Sequence, residues 1–421
     1  MSLVPLDEAR RHVLSRCAPL APVRVAVADA LGLVTAEAVG AAEDVPPFDN
    51  TAMDGYAVRA ADTAGAPVRL SVLGTLAAGA APGQGVGPGQ AVRIMTGAPI
   101  PAGADAVVMV ELTRAADDGR AVVVEAEVET GNHIRRRGDD VRRGDEVLAA
   151  GTVLGPGHLG VLASVGVPEV VVHPRLRVAV LSTGDELVDG GGALAGGQVR
   201  DSNRPTLLGL VRQAGFEALD AGIARDSEEQ IEKALTGALA ESDAVITSGG
   251  VSMGDFDLIK VVLDRLGDMR WMQVAIRPAK PLAFGRVGGK PVFGLPGNPV
   301  SSMVSFELFA GPALRKMAGH RVLDRPLVPA VAEEALARRP DGKTMFARVR
   351  ARPGPDGRLL VRSAGGQGSH VLTAMAAAQG LAVLPDGEGV GAGEAVDVLL
   401  VSPGAWAEPG RGPDGAVLFG A

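Results

Sequence analysis

Three short stretches put glycine, hydroxyl and carboxylate residues directly after apolar runs, where they could act on an anion. Leu181-Ser182-Thr183-Gly184-Asp185-Glu186-Leu187 follows the run that begins at Arg177. Thr247-Ser248-Gly249-Gly250-Val251-Ser252-Met253-Gly254-Asp255-Phe256-Asp257 follows Ala244-Val245-Ile246, and Gly294-Leu295-Pro296-Gly297-Asn298-Pro299 follows Pro291-Val292-Phe293. A strand that turns into a helix through glycines leaves backbone N–H groups unpaired. The helix N-terminus adds partial positive charge, so such turns cradle phosphate or another oxyanion. Asn298 suits an N-cap and Pro299 a first helical position for a helix over residues 300–317.

Carboxylates accompany the turns. Asp185, Glu186, Asp201, Asp226, Asp255 and Asp257 all fall at expected strand ends or helix starts. Any one of them is as well explained as a helix cap. Gathered at one sheet edge, they would repel an anionic ligand unless a cation bridged them, so Mg²⁺ is expected. Positive charge comes from Arg277-Pro278-Ala279-Lys280-Pro281, where two prolines would hold Arg277 and Lys280 in place for an oxyanion. Taken alone, that segment is slightly better explained as a surface loop with two solvated charges.

These turns need a sheet to hold them, and residues 176–319 supply its pattern. A strand over residues 177–181 is followed by a helix capped at Ser202 or Asn203, carrying Pro205 and ending at Gly215. Ser227 and Gln230 form a capping box for a helix to residue 240, and residues 244–247 make the next strand. The alternation predicts βαβ units and a mostly parallel sheet, with ligands beyond the carboxyl ends of its strands.

Elsewhere the pattern changes. Residues 5–17 predict an N-terminal helix, and short β-like runs at 68–73, 91–95, 106–111 and 121–128 predict a small β domain. That domain contains Pro46-Pro47-Phe48-Asp49-Asn50-Thr51-Ala52-Met53-Asp54-Gly55-Tyr56, with the only tyrosine, and Met95-Thr96-Gly97-Ala98-Pro99. Both stretches read as hairpin turns on their residues alone. Helical character returns at 156–164, and β-like runs recur at 345–349, 359–362, 381–384 and 395–401. Residues 403–421 are Gly- and Pro-rich and are expected to be a loosely held tail.

Composition narrows the function classes. At 421 residues the chain is too long for one core, so two to four domains are expected. A formal net charge of −8 leaves no basic face for nucleic acid. Arg135-Arg136-Arg137 and Arg142-Arg143 sit among Asp139, Asp140 and Asp145, which reads as a salt-bridged loop. The single Cys17 excludes an intramolecular disulfide and a cysteine-based zinc site, and it falls in phase with Leu6, Ala9, Val13 and Leu14 as a buried helix residue. The six histidines show no metal-ligand spacing. No run approaches membrane-spanning length and the N-terminus is not an apolar signal stretch, so a cytoplasmic protein is expected.

Eight of these segments occur in a familiar order. FDNTAMDGYAV, MTGAP, IRRRGDD, LSTGDEL, RDSNRPTL, TSGGVSMGDFD, RPAKPLAFG and GLPGNPVSS resemble the molybdopterin molybdenumtransferases, enzymes related to the C-terminal domain of gephyrin. The match runs from near the N-terminus to about Val401. The resemblance implies a multidomain α/β plus β fold: a discontinuous connecting domain (1–43 and 141–175), a β-rich domain (44–140), a central α/β domain (176–322) with a mostly parallel sheet, and a C-terminal β-barrel-like domain (323–402). It implies a homodimer whose cleft is completed by the partner's β domain. It also implies insertion of molybdate into adenylylated molybdopterin with release of AMP, dependent on Mg²⁺. Molybdopterin adenylyltransferase and apo-molybdoenzymes are further partners that it allows.

The family's functional positions carry over residue by residue. Asp54, Thr96 and Asp140 match its β-domain positions, and Glu186, Asp226 and Asp257 its central carboxylates, with Glu186 and Asp257 expected to hold the metal. Ser248, Gly249, Gly250 and Ser252 form the turn expected to cradle the pterin phosphate. Arg277, Lys280, Pro296 and Pro299 match the basic pair and the proline loop at the molybdate end. Arg277 stands where a lysine is common, which keeps the charge and changes its geometry. Arg348 and Ser369 match positions in the C-terminal domain, in a looser stretch. A gephyrin-like scaffold without catalysis would keep the fold, but the carboxylates and basic pair argue against it. Molybdopterin adenylyltransferase shares the Gly-Gly-Val-Ser turn but is usually a single α/β domain.

Overall fold

The computed structural model describes residues 3–81, 83–250 and 258–401. The chain divides into two compact units: Val23–Val172, and Met1–Pro22 together with His173–Ala421.

The Val23–Val172 unit holds a six-stranded sheet in the order Ala106–Met109, Gly55–Val58, Gln90–Ile94, Val68–Leu76, Ala121–Val124 and Thr113–Ala116. Alternate residues of its strands feed two cores. Tyr56, Val58, Val108 and Val122 pack on one face, and Ala57, Val92, Ile94 and Val107 on the other. A separate core joins residues from before and after this sheet: Leu33 and Val39 meet Leu148, Leu154, Val170 and Leu162 of the helix Pro156–Ser164. Gly155-Pro156 starts that helix where a proline can serve at N1 without losing a hydrogen bond.

The larger unit is built on a second six-stranded sheet, ordered Glu217–Ala224, Arg177–Thr183, Ala244–Ser248, Lys290–Leu295, Pro281–Val287 and Gly267–Gln273. The first four strands run parallel and the last two are antiparallel additions. Arg177–Thr183 lies inside the sheet, paired on both sides, and everything after its first residue is buried, as a strand covered on both faces requires. Val178 and Val180 point into a core with Leu207, Val211, Val300 and Phe306, while Ala179 and Leu181 face Ile231, Leu235, Ile259 and Leu263. The helix Leu6–Ser15 contributes Ala9 and Val13 to the first of these cores, with Cys17 beside them. Residues 1–22 therefore lie with the α/β sheet, whereas the expected boundaries grouped them with 141–175. Burial pushes the Cys17 thiol up to about 11, as befits a packing residue.

The last strands close a five-stranded barrel. Thr344–Pro353 pairs with Leu359–Ser363, which pairs with Leu327–Ala332, then Ala395–Leu400, then Gly380–Leu384, which returns to Thr344–Pro353. Met345, Ala347 and Val349 fill its interior. Phe346, one residue out of phase, joins the α/β core with Leu381 and Leu399. The short strand Ile276–Arg277 pairs in parallel with Thr344 and Met345, so the barrel takes its sixth strand from the basic Arg277–Lys280 segment itself.

Two capping expectations are corrected. The helix after Asn298 runs Pro299–Ser305, continues as a π-helical turn at Phe306–Ala310, and resumes as Gly311–Met317. The Asn298 side chain makes no cap hydrogen bond, because the Val300 N–H donates instead to Ser369 O at 3.1 Å. Ser227 occupies the cap position of Glu228–Glu241 without a side-chain bond, so the box with Gln230 does not form.

Candidate functional site

In the larger unit the three turns meet at the carboxyl ends of adjacent strands. Ser182, Thr183, Thr247 and Ser248 are buried there, and the hydroxyls of Ser182 and Thr247 have no hydrogen-bond partner among the described residues. Gly249 has φ +96°, and a Cβ on it would lie 2.9 Å from Thr183 O. Only glycine fits that position. Its N–H donates to Leu295 O at 3.2 Å, which ties the turn at Ser248-Gly249-Gly250 to the Pro296–Pro299 turn. Asn203 ties them again: Nδ2 donates to Ser248 Oγ and to Gly297 O, both at 2.7 Å. Asn203 lies within the helix Asn203–Gln213 rather than capping it, and Asp201 accepts the Arg204 N–H in the cap's place. Residue types and spacing had marked Asn203 only as a cap, so its bridging role was missed.

Cations gather where the strand Ile276–Arg277 pairs with the barrel strand that carries Arg348. Arg277 and Lys280 are exposed, and neither side chain has a carboxylate partner among the described residues. Ala279 between them has φ +73°, in the left-handed region. Arg348 is 0 % exposed. Its Nη2 donates to Gly366 O at 2.9 Å and Gly368 O at 3.1 Å, while Nε and Nη1 are buried without a partner among the described residues. Burial, with a smaller contribution from the Arg277 charge, pulls the Arg348 guanidinium down to about 10. A buried cation with no counter-charge among the described residues, facing a second cation, is a costly arrangement unless an anion completes it. Gln367, which residue types did not single out, fixes this arginine's backbone. Its Oε1 accepts the Arg348 N–H at 2.9 Å and its Nε2 donates to Arg348 O at 3.0 Å. Two residues on, Ser369 O receives the Val300 N–H, so one loop holds both Arg348 and the start of the Pro299 helix. Pro296 is buried and Pro299 half-buried beside them.

The carboxylates divide. Asp226 accepts the Asp185 N–H at 3.3 Å and Asp185 accepts the Asp226 N–H at 3.1 Å, so Asp226 shapes the turn. Glu186 is exposed, and its carboxylate folds back over Gly184, where a Cβ would collide with it. Among the described residues that carboxylate has no hydrogen-bond partner, and no three His, Cys, Asp or Glu side chains gather to hold a metal. Asp257 and Ser252 lie outside the described residues, and Gly250, at φ +67°, is the last one before them.

In the other unit, Asp54 and Thr96 come together. The Thr96 N–H and Oγ1 both donate to Asp54 Oδ1 at 2.7 Å. The two bonds, the backbone one first, hold the Asp54 carboxyl below the usual carboxylate range. Asp140 is exposed, its N–H bonded to Val45 O, in a loop where Arg136 pairs with Asp49 and Arg137 with Asp44. The ionised Asp54–Thr96 pair adds stability above the unfolded carboxylate value of about 4. That contribution is lost as pH falls through the lowered folded value. In a Thr96→Val protein, NMR titration should move the Asp54 carboxyl part of the way back up, and an unmoved midpoint would count against the contact.

The sequence and fold match known proteins along nearly the whole chain. Residues 4–166 match the MoeA N-terminal region (domain I and II), residues 179–316 a probable molybdopterin binding domain, and residues 330–401 the MoeA C-terminal region (domain IV). The molybdopterin molybdenumtransferase of Haemophilus influenzae is 40% identical over 399 residues, covering 94% of this chain and 98% of that protein. Molybdopterin molybdenumtransferase 2 of Mycobacterium tuberculosis is 40% identical over 391 residues, covering 90% and 95%. A molybdopterin biosynthesis moeA protein from Pyrococcus horikoshii OT3 has a solved structure that superposes with a TM-score of 0.78 at 30% identity, covering 95% of this chain and 100% of that one.

Proposed function

Because this chain belongs to the molybdopterin molybdenumtransferase family, we propose that it inserts molybdenum into molybdopterin as the last step of molybdenum cofactor formation. The finer account is that adenylylated molybdopterin and molybdate are its substrates and AMP a product. The observation that carries it is Arg348, a buried guanidinium with two unused donor atoms beside Arg277 and the Pro296–Pro299 turn. Planar, always-charged guanidinium groups suit a tetrahedral oxyanion.

Each group then has a task. Ser248, Gly249, Gly250 and Ser252 take the pterin phosphate on backbone N–H groups and hydroxyls. Arg277, Lys280, Arg348 and Ser369, with the loop bounded by Pro296 and Pro299, receive molybdate. Holding two anions side by side converts an encounter between dilute reactants into a positioned reaction, and fixed cations offset the charge that develops at the phosphoryl group. Asp226 keeps the Asp185 turn in shape, while Asp54, Thr96 and Asp140 are the β-unit's contribution in a homodimer.

The donor set suits Mg²⁺. Mg²⁺ binds through one or two carboxylates together with substrate phosphates and water, so a three-residue protein cage is not required. Glu186, with a carboxylate uncommitted among the described residues, would hold it, with Asp257 as the second ligand. When bound, the ion would supply charge neutralisation at the phosphoryl oxygens. We place the enzyme in the cytoplasm; no helix among the described residues is long and apolar enough to cross a membrane.

The test is AMP release by the purified protein from adenylylated molybdopterin, with molybdate added or with sulfate in its place. Molybdate-dependent release is expected. A protein that binds the pterin and releases nothing would be a scaffold.

A further inference from the structure

Asn203 is the one side chain among the described residues that hydrogen-bonds to both Gly-rich turns. Both hydrogens of its amide are used, at 2.7 Å each, and both partners belong to the machinery: Ser248 on the phosphate side and Gly297 on the oxyanion side. Asn203 is 9 % exposed, and its Oδ1 is buried with no partner among the described residues.

The helix that Asn203 begins is tied down by ion pairs at its next residue. Arg204 is buried and pairs with Asp201 at 3.1 Å and with Asp189 and Asp220. Three carboxylates from three chain segments therefore fix the first turn of Asn203–Gln213 against the sheet. At the first position of the helix the Asn203 side chain is free of any capping bond and turns away from its own helix to the two turns. The two groups it meets lie 45 and 94 residues away in the chain.

We propose that Asn203 is a positioning residue that sets the spacing between the phosphate turn and the molybdate loop. It touches neither reacting group; it acts through Ser248 and Gly297. The role rests on the proposed reaction, because two turns need a fixed spacing only if both are occupied at once. Its signature is a split between binding and turnover. Each turn alone keeps its own backbone donors, so single-ligand affinity depends little on the bridge. Reaction requires both anions at the right separation, and a misplacement of about 1 Å can cost about 100-fold in rate.

The experiment compares wild type with Asn203→Ala and Asn203→Leu, the latter retaining most of the volume without donors. Binding of adenylylated molybdopterin without molybdate, binding of molybdate alone, melting temperature and kcat for AMP release are measured. Expected is a kcat loss of about 100-fold in both variants, with each single-ligand Kd within about threefold of wild type. A kcat near wild type in either folded variant would overturn the role. So would single-ligand affinities that fall in step with melting temperature, since that pattern belongs to a purely structural residue. A wild-type protein without molybdate-dependent AMP release would overturn the proposed reaction itself, and the positioning role with it.

Discussion

Replacing Arg348 with methionine is expected to lower molybdate-dependent AMP release by about 100- to 1000-fold, the loss typical when a preorganised oxyanion donor is removed. The same substitution should leave the melting temperature unchanged or raised. Arg348 is fully buried, its Nε and Nη1 lack partners among the described residues, and the charge that acts on it there is another cation, Arg277. A side chain kept for stability would carry a counter-ion. This one imposes the desolvation cost of a charge and recovers only two carbonyl hydrogen bonds, to Gly366 and Gly368. A methionine of similar reach removes that cost, as when buried charges give way to apolar groups of like volume. Opposite movements of activity and stability are the mark of a site that waits for an anion. Parallel losses of both would make Arg348 a structural residue.

Gly249→Ala is expected to abolish measurable turnover while the fold persists at reduced stability. The residue sits at φ +96°, which costs an L-residue about 1–2 kcal/mol. The new Cβ would also lie 2.9 Å from Thr183 O, a backbone atom at the end of a strand paired on both sides, which cannot move aside. Relief has to come from the turn, which would pull Gly249 away from Leu295 O and break the link to the Pro296–Pro299 loop. Thermal unfolding and AMP release on the same preparation check both halves. An alanine variant with normal turnover would show that the turn's backbone path is not what binds the phosphate.

The two substitutions also mark how much could be read from the chain. The strands that carry the turns were legible, because residues 177–183, 244–248 and 290–295 are near-continuous apolar runs ended by glycine or proline. That is the mark of strands buried on both faces. The helix Pro156–Ser164 was legible from Gly155-Pro156. For the N-terminal helix, the stripe Ala9, Val13 and Cys17 announced burial but not against what, and the elements it packs on proved to be the helical segments Phe306–Ala310 and Gly311–Met317 of the α/β core. A stripe states that a face is covered and is silent about the cover.

The site was legible where chemistry is local and opaque where it depends on distant contacts. Gly249 and Pro296 belong to turns whose composition speaks for itself. Arg348 has no local signal beyond its match to the family: its burial follows from barrel parity, which puts Phe346 and Arg348 on the face away from Met345, Ala347 and Val349. Asn298 was expected to cap its helix, yet the backbone donor it would have met is taken by Ser369 from a loop 71 positions later in the chain. No local rule anticipates such a competitor.

The central claim is that the paired turns and the buried arginine serve one reaction, in which molybdenum reaches molybdopterin as AMP departs. Counting both products in one vessel tests it most directly. Purified protein is given adenylylated molybdopterin and molybdate, and AMP and pterin-bound molybdenum are measured over the first turnover. Equal amounts of the two, with neither formed when sulfate replaces molybdate, are the predicted result. AMP released at the same rate without molybdenum appearing on the pterin would contradict it.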